Sequence, residues 1–266
     1  GLIPLILGLV LFVGGLIVQL TSPRVALFLD ALSFVISFAV LAVTLRERPS
    51  ALESTPSIRV LMGDLTAGWT MLMRDPSRRA FVLLGWALAA PLVAPEAVAL
   101  AYAKDTGEVD GWGGALMAGV VVGAAIGSVL IGRRALRVQL DLVLPLAVLM
   151  CLPLLVTGIE PPIPIVLVLW SLCGAAQAFL IPVMTFTTLL TPNEARGRVV
   201  GIAAAGFALF TTIGYLVTGW VATLTSPAFA VVVMAVAGLA VGAVAYLLWP
   251  ATSLRADIRR LEAADV

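Results

Sequence analysis

Histidine is absent from all 266 residues. That removes H-E-x-x-H metalloproteases, histidine-based zinc sites and Ser-His-Asp hydrolases together, because each needs an imidazole as ligand or base. Cysteine is scarce as well. Cys151 and Cys173 are the two in the chain, and both fall inside apolar runs. They read as packing thiols rather than a disulfide framework. No G-x-x-x-x-G-K-S/T stretch occurs, so the chain has no phosphate cradle through which ATP could drive it. There is no paired acidic motif suited to Mg²⁺–diphosphate chemistry, and Ser128, which stands near glycines, lacks a base. Enzyme activity, a cofactor, a metal and a nucleic-acid partner are therefore not expected.

Charge is the next thing in short supply. Asp, Glu, Lys and Arg make up 12% of the chain and apolar residues 61%, where soluble domains hold about 25% and about 45–50%. Mean hydropathy is +1.12. A water-soluble fold of this length would leave large apolar patches in solvent, so the composition suits a lipid bilayer. The chain opens on Gly1 inside an apolar run, with no basic segment before it and no small-residue cleavage site after it. That run is not expected to be a signal peptide; the expectation is a piece of a longer protein.

What is present is a series of long apolar runs. A helix of about 20 residues crosses a hydrocarbon core of about 30 Å. Eight runs qualify: Leu2–Leu20, Val25–Leu45, Ala80–Tyr102, Gly113–Gly132, Leu140–Gly158, Pro164–Phe186, Arg198–Trp220 and Pro227–Trp249. The expected fold is all-α, a polytopic transmembrane bundle. Residues 1–45 supply two spans, 46–79 a polar connection, 80–249 six spans and 250–266 a tail. Of the 16 Lys and Arg, only Arg24 and Lys104 fall in one set of loops, and the other 14 fall in the alternate set and at the ends. Basic loops stay inside, so both termini are expected in the cytoplasm, with the protein in the plasma (inner) membrane. The loops on the other side are short, around Asp105–Gly111, Glu160–Pro162 and Leu224–Ser226.

Two patterns concern packing. In the polar connection, Ile58, Leu61, Leu65, Trp69 and Leu72 recur at helical spacing with Arg59, Asp64 and Arg74 off that stripe. This predicts an amphipathic helix on the cytoplasmic interface, with docking to a partner as the alternative. In the fourth run, Ala115, Gly119, Gly123 and Gly127 recur every four residues, and Gly1, Gly8 and Gly15 mark a face of the first. Small residues at that spacing let helix backbones approach closely in lipid. Tyr102 and Trp112 fit an aromatic belt at the membrane surface.

Four segments together resemble a known family. "FLDALSFVISFAVLAVTLRER" (28–48) looks like the sixth helix of major facilitator superfamily exporters, in the branch of macrolide-efflux and siderophore-export proteins. "RDPSRRAFVLLG" (74–85) resembles the end of that branch's central loop and the start of its seventh helix. "GALMAGVVVGAAIGSVLIGRR" (114–134) looks like the eighth, ending in a reduced form of the family's basic loop signature without its acidic residue. "TPNEARGRVVGIAAAGFALF" (191–210) resembles the connection into the eleventh. The resemblance covers helices five through twelve, with nothing matching the first four. It implies two halves that rock about a site near the midplane, and export of small amphipathic molecules driven by an ion gradient. Uptake of a small molecule and a truncated, non-transporting membrane protein remain as alternatives.

Ionisable groups inside spans point to the chemistry. Asp30 and Glu96 are the carboxylates that fall clearly within runs, where a charge costs about 2.5–3.5 kcal/mol on insertion scales. Such residues face a wet cavity or the protein interior, and are functional candidates by default. Asp30 is about six residues from Arg24, roughly 9 Å, and Glu96 about eight from Lys104, roughly 12 Å, so Glu96 is the deeper. Pro91 and Pro95 precede it and predict a kinked or broken helix beside the acid. Glu96 is thus a candidate for binding a proton or a cationic substrate group, with a structural carboxyl as the other reading. Asp30 reads more readily as structural. Gln177, mid-span near Trp170 and Phe179, could contact substrate or glue helices together. Arg133, Arg134 and Arg137, and Glu194, Arg196 and Arg198, follow from topology, or form cytoplasmic gate pairs that break and re-form.

Overall fold

A computed structural model describes residues 23–44, 58–107 and 111–264, and within them the regular structure is helical. The elements in chain order are α1 (Pro23–Thr44), α2 (Ile58–Arg74), α3 (Pro76–Asp105), α4 (Trp112–Gly132), α5 (Leu136–Val156), α6 (Ile163–Ala176), α7 (Leu180–Leu189), α8 (Asn193–Leu224), α9 (Pro227–Leu248) and α10 (Ala251–Ala264). Short 3₁₀ turns follow α5 at Thr157–Ile159 and join α6 to α7 at Gln177–Phe179. Seven helical stretches among the described residues are long and apolar enough to cross a membrane, α6 and α7 counting as one. The expected span at Leu2–Leu20, with the Gly1, Gly8 and Gly15 face, lies outside the described residues.

Six spans, α3 to α9, form the bundle, and α3 is its axis. It packs against α4, α7, α8 and α9, and it is the most buried of the spans. It starts at Pro76 rather than near Ala80 because Asp75 caps it: the Arg78 backbone N–H donates to Asp75 Oδ1 at 2.9 Å, and Pro76 takes the first helical position. There a missing N–H costs nothing and the fixed φ already suits the helix.

The tightest seam is between α4 and α6. A Cβ added at Gly123 would overlap the Ser171 carbonyl, and one at Gly127 the Ala175 carbonyl. The contact is reciprocal, since a Cβ at Gly174 would overlap the carbonyl of Val120. At Gly119 the added atom would stand 2.8 Å from Ser171 Oγ. Backbone therefore lies on backbone along this seam, and only glycine leaves the room. The core between the helices is closed by large side chains. Trp170, fully buried, donates from Nε1 to Thr157 Oγ1 at 3.1 Å, and its ring lies 5.6 Å from that of Tyr102. Tyr102 is thus a core residue and not part of a surface belt. The face of α3 that carries it turns towards α6, which a count along the run does not reveal.

Two amphipathic helices brace the arginine-bearing end. α2 docks through Gly68 and the fully buried Leu72 onto the first turns of α8, where a Cβ at Gly68 would come within 2.8 Å of Ile202 Cδ1. Its partner is this same chain. Leu65 and Trp69, expected in the same stripe as Leu72, stay half-exposed. At the other end of the chain, the segment read from sequence as a tail contains helix α10. It buries Leu254 and Ile258, and Asp257 Oδ2 accepts the Ser77 hydroxyl of α3 at 2.6 Å.

Candidate functional site

The α3–α8 seam is built differently from the glycine seam. Near the arginine-bearing end, Trp86 of α3 donates from Nε1 to the Ala203 carbonyl of α8 at 2.8 Å. Its indole stacks between Trp69 of α2 and Phe210 of α8, each with ring centroids 6.0 Å away. Further along, Gly214 of α8 lies over Ala90, where an added Cβ would approach the Ala90 Cα to 2.5 Å. One residue beyond that close approach, Tyr215 donates its hydroxyl to Glu96 Oε2 at 2.9 Å.

Glu96 and Tyr215 each lie nine residues before the end of their helices, Asp105 and Leu224, or about 13–14 Å at 1.5 Å per residue. They belong to the half of the bundle away from the arginines. Glu96 is half-buried and Tyr215 is 40% exposed. Among the described residues no guanidinium or ammonium group forms an ion pair with Glu96. The acid is held by one neutral hydroxyl and keeps lone pairs for a further donor. A carboxyl so placed can take a proton, or the charged end of a cation, without first breaking a salt bridge.

Gln177 joins the same neighbourhood. Its Nε2 donates to the carbonyl of Leu92 at 3.3 Å, one turn before Glu96 on α3. It also begins the 3₁₀ turn between α6 and α7. The interrupted span is therefore this one, and α3, expected to be kinked or broken at Pro91 and Pro95, is not broken there: it continues as a single α-helix through both. Neighbouring helices pack against α3 on several sides, while Pro182 removes the donor that would bond the Ala178 carbonyl and loosens the turn at Gln177–Phe179.

Asp30 is not brought into this group. It stands on α1, which is exposed along its described length, and its backbone carbonyl accepts the Ser33 hydroxyl at 2.7 Å. The basic residues gather at the opposite end of the bundle. Arg133 and Arg134 are exposed in the α4–α5 connection, where the Arg134 carbonyl accepts Gln139 Nε2 at 2.9 Å. Glu194, Arg196 and Arg198 form the first turns of α8. Arg198 pairs with Asp64 of α2 at 3.0 Å, while Arg196 is half-buried. The ion pair that ties this cluster to another element thus runs to the amphipathic helix. Tyr215, Trp86 and Asp64 were not singled out from sequence as site partners. Only Asp64 carried a signal, a charge off the apolar stripe of α2.

Residues 80–263 match the family described as Major Facilitator Superfamily. The chain belongs to the major facilitator superfamily. No curated protein and no solved structure matches it. The match begins four residues into α3 and ends within α10, so it takes in all six bundle spans. This major facilitator chain is accordingly an integral, multi-pass membrane protein of a transporter family, which points away from an enzyme. The Glu96–Tyr215 pair and Gln177 lie inside the matched region, and Asp30 lies outside it.

Proposed function

We propose that this protein is a secondary active exporter that carries small amphipathic molecules out of the cell by alternating access, with protons moving the other way. In this reading it works in the plasma (inner) membrane with both termini in the cytoplasm. The four segments quoted above support the branch of macrolide-efflux and siderophore-export proteins, and a chain that supplies helices five through twelve. The 14 arginines at one end of the spans support the orientation.

One observation carries the coupling role. Glu96 sits in the bundle with the Tyr215 hydroxyl as its hydrogen-bond partner and, among the described residues, no cation paired to it. Ionisable groups in spans mark proton relays and substrate paths. A proton on Glu96 and a cationic substrate group near it exclude each other, because the site offers one negative charge for both. Occupation by one releases the other, which is the exchange an antiporter needs. Gln177, half-buried at the break between α6 and α7, supplies a neutral amide one turn of α3 from the acid, suited to a polar group of the same substrate. The basic cluster, Arg133, Arg134, Glu194, Arg196 and Arg198, forms the cytoplasmic gate, with Arg198–Asp64 as the pair closed in this structure.

The test is flux in proteoliposomes containing the full-length protein, with a pH gradient imposed and a panel of amphipathic cations and neutral compounds supplied. Gradient-driven movement of at least one compound, lost in Glu96→Gln at equal protein content, is the expected outcome. Driven transport that survives Glu96→Gln unchanged would remove the carboxyl from the coupling mechanism.

A further inference from the structure

On the side of the bundle formed by α5 and α9, a long apolar groove runs between the two helices. Its volume is about 990 Å³. Leu144, Val148 and Leu152 form one wall and Leu239 and Leu247 the other, with the buried Gly242 packed against the Val148 side chain between them. Leu152 and Leu247 are exposed, so the groove opens sideways rather than into the bundle. From Leu140 to Leu152 it follows twelve residues of α5, roughly 18 Å. That is close to the half-thickness of a hydrocarbon core, about 15 Å.

At its arginine-bearing end the groove runs into a second cavity of about 400 Å³, and the two share Leu140, Asp141 and Arg255. Arg137, Arg255 and Arg259 line this second space against one carboxylate, Asp141. None of these three guanidinium groups is ion-paired with a carboxylate among the described residues. The nearby acid of α10 is already engaged: Asp257 accepts the Ser77 hydroxyl and pairs with Arg260 at 3.7 Å. α10 thus places Arg255 and Arg259 against the end of α5, while its buried Leu254 and Ile258 hold it there.

We propose that this composite cavity binds one anionic glycerophospholipid from the leaflet on the arginine-bearing side. An acyl chain lies along the α5–α9 groove and the phosphate sits among Arg137, Arg255 and Arg259. The shape requires a ligand that is apolar over one leaflet's depth and negatively charged at one end, and the three arginines, free of ion pairs among the described residues, supply the complementary charge. Basic residues near a membrane surface attract acidic lipids with an energy that grows with each charge. Such a lipid would clamp α10 to α5 on the side of the bundle away from the Glu96–Tyr215 pair.

The full-length protein, purified in mild detergent, is titrated with dioleoyl phosphatidylglycerol or dioleoyl phosphatidylcholine, and bound lipid is counted by native mass spectrometry. Retention of the glycerol lipid roughly thirtyfold above the choline lipid is expected from three basic contacts offset by Asp141, at about 1 kcal/mol per net charge. The triple change Arg137→Ala, Arg255→Ala, Arg259→Ala should erase that preference, and the same three positions changed to Lys should keep most of it. Ala243 also lines the groove, and Ala243→Trp, which fills it and leaves every charge in place, should lower retention of both lipids. Equal retention of the two lipids by the unaltered protein would overturn the proposal, as would a preference that survives the triple alanine change. Displacement of bound lipid by inorganic phosphate alone would show an ordinary anion site and equally refute it.

Discussion

Where α4 meets α6, backbone touches backbone and nothing stands between; where α3 meets α8, an indole, a hydroxyl and a carboxyl do. Both seams use glycine, at Gly123, Gly127 and Gly174 in the first and Gly214 in the second. The first spends that closeness on rigidity. In the second, the close approach at Gly214 is followed at once by Tyr215 reaching Glu96. Lipid gives helices no hydrophobic reason to associate, so van der Waals contact and hydrogen bonds must do it. A transporter built this way can keep one pair of helices fixed and leave polar groups half-open on another.

The sharpest way to break this contrast is at the tight seam. Gly123→Leu should cost at least the roughly 1–3 kcal/mol typical of overpacking, since a backbone carbonyl, not a flexible side chain, stands in the way. The protein should fail to accumulate or should lose its monodisperse peak on size exclusion. Gly114→Ala, on the same helix with open space around it, is the control. It should change the melting midpoint little, in the stabilising direction, because alanine favours the helix by less than about 1 kcal/mol.

At the polar seam the effects are smaller and of another kind. Trp86→Phe keeps a ring in the stack but removes the donor to the Ala203 carbonyl, at a cost of about 0.5–1.5 kcal/mol, to be read as a lower melting midpoint in detergent. Tyr215→Phe removes the hydroxyl from Glu96 and should alter the pH dependence of transport while protein levels hold. An unchanged profile would mean the hydrogen bond has no part in proton handling. The smallest effect belongs to the surface. Asp64→Asn breaks a pair whose side chains are 53% and 45% exposed, and solvent screening leaves it under about 1 kcal/mol of stability.

The spans were legible because twenty apolar residues in a row have few other readings in a chain so poor in charge. Glu96 was legible for the same reason, as a carboxyl where none is affordable. The stripe of Gly119, Gly123 and Gly127 announced a close contact but not its partner, since nothing in Ser171 or Ala175 marks them as the surface glycine must clear. Tyr215 was hidden because it lies 119 residues from Glu96 among apolar neighbours that do not set it apart. The prolines misled by position. Pro91 and Pro95 do not break α3, which is gripped on several sides, whereas the less conspicuous Pro182 lies three residues past the Gln177–Phe179 turn that does interrupt a span. Helix α10 had its clue in Leu254 and Ile258 four residues apart, outweighed by the polar residues around them.

The central claim is that Glu96 exchanges a proton for substrate. It is tested most directly by comparing two fluxes in the same proteoliposomes of full-length protein: substrate exchange at equal pH on both sides, and net flux driven by a pH gradient. The account predicts that Glu96→Gln loses the driven flux of a cationic substrate together with its accompanying proton movement, and weakens that substrate's exchange at equal pH as well, because the same carboxyl holds the cation. A variant that still drives substrate against its gradient, with protons moving as in the unaltered protein, would contradict it.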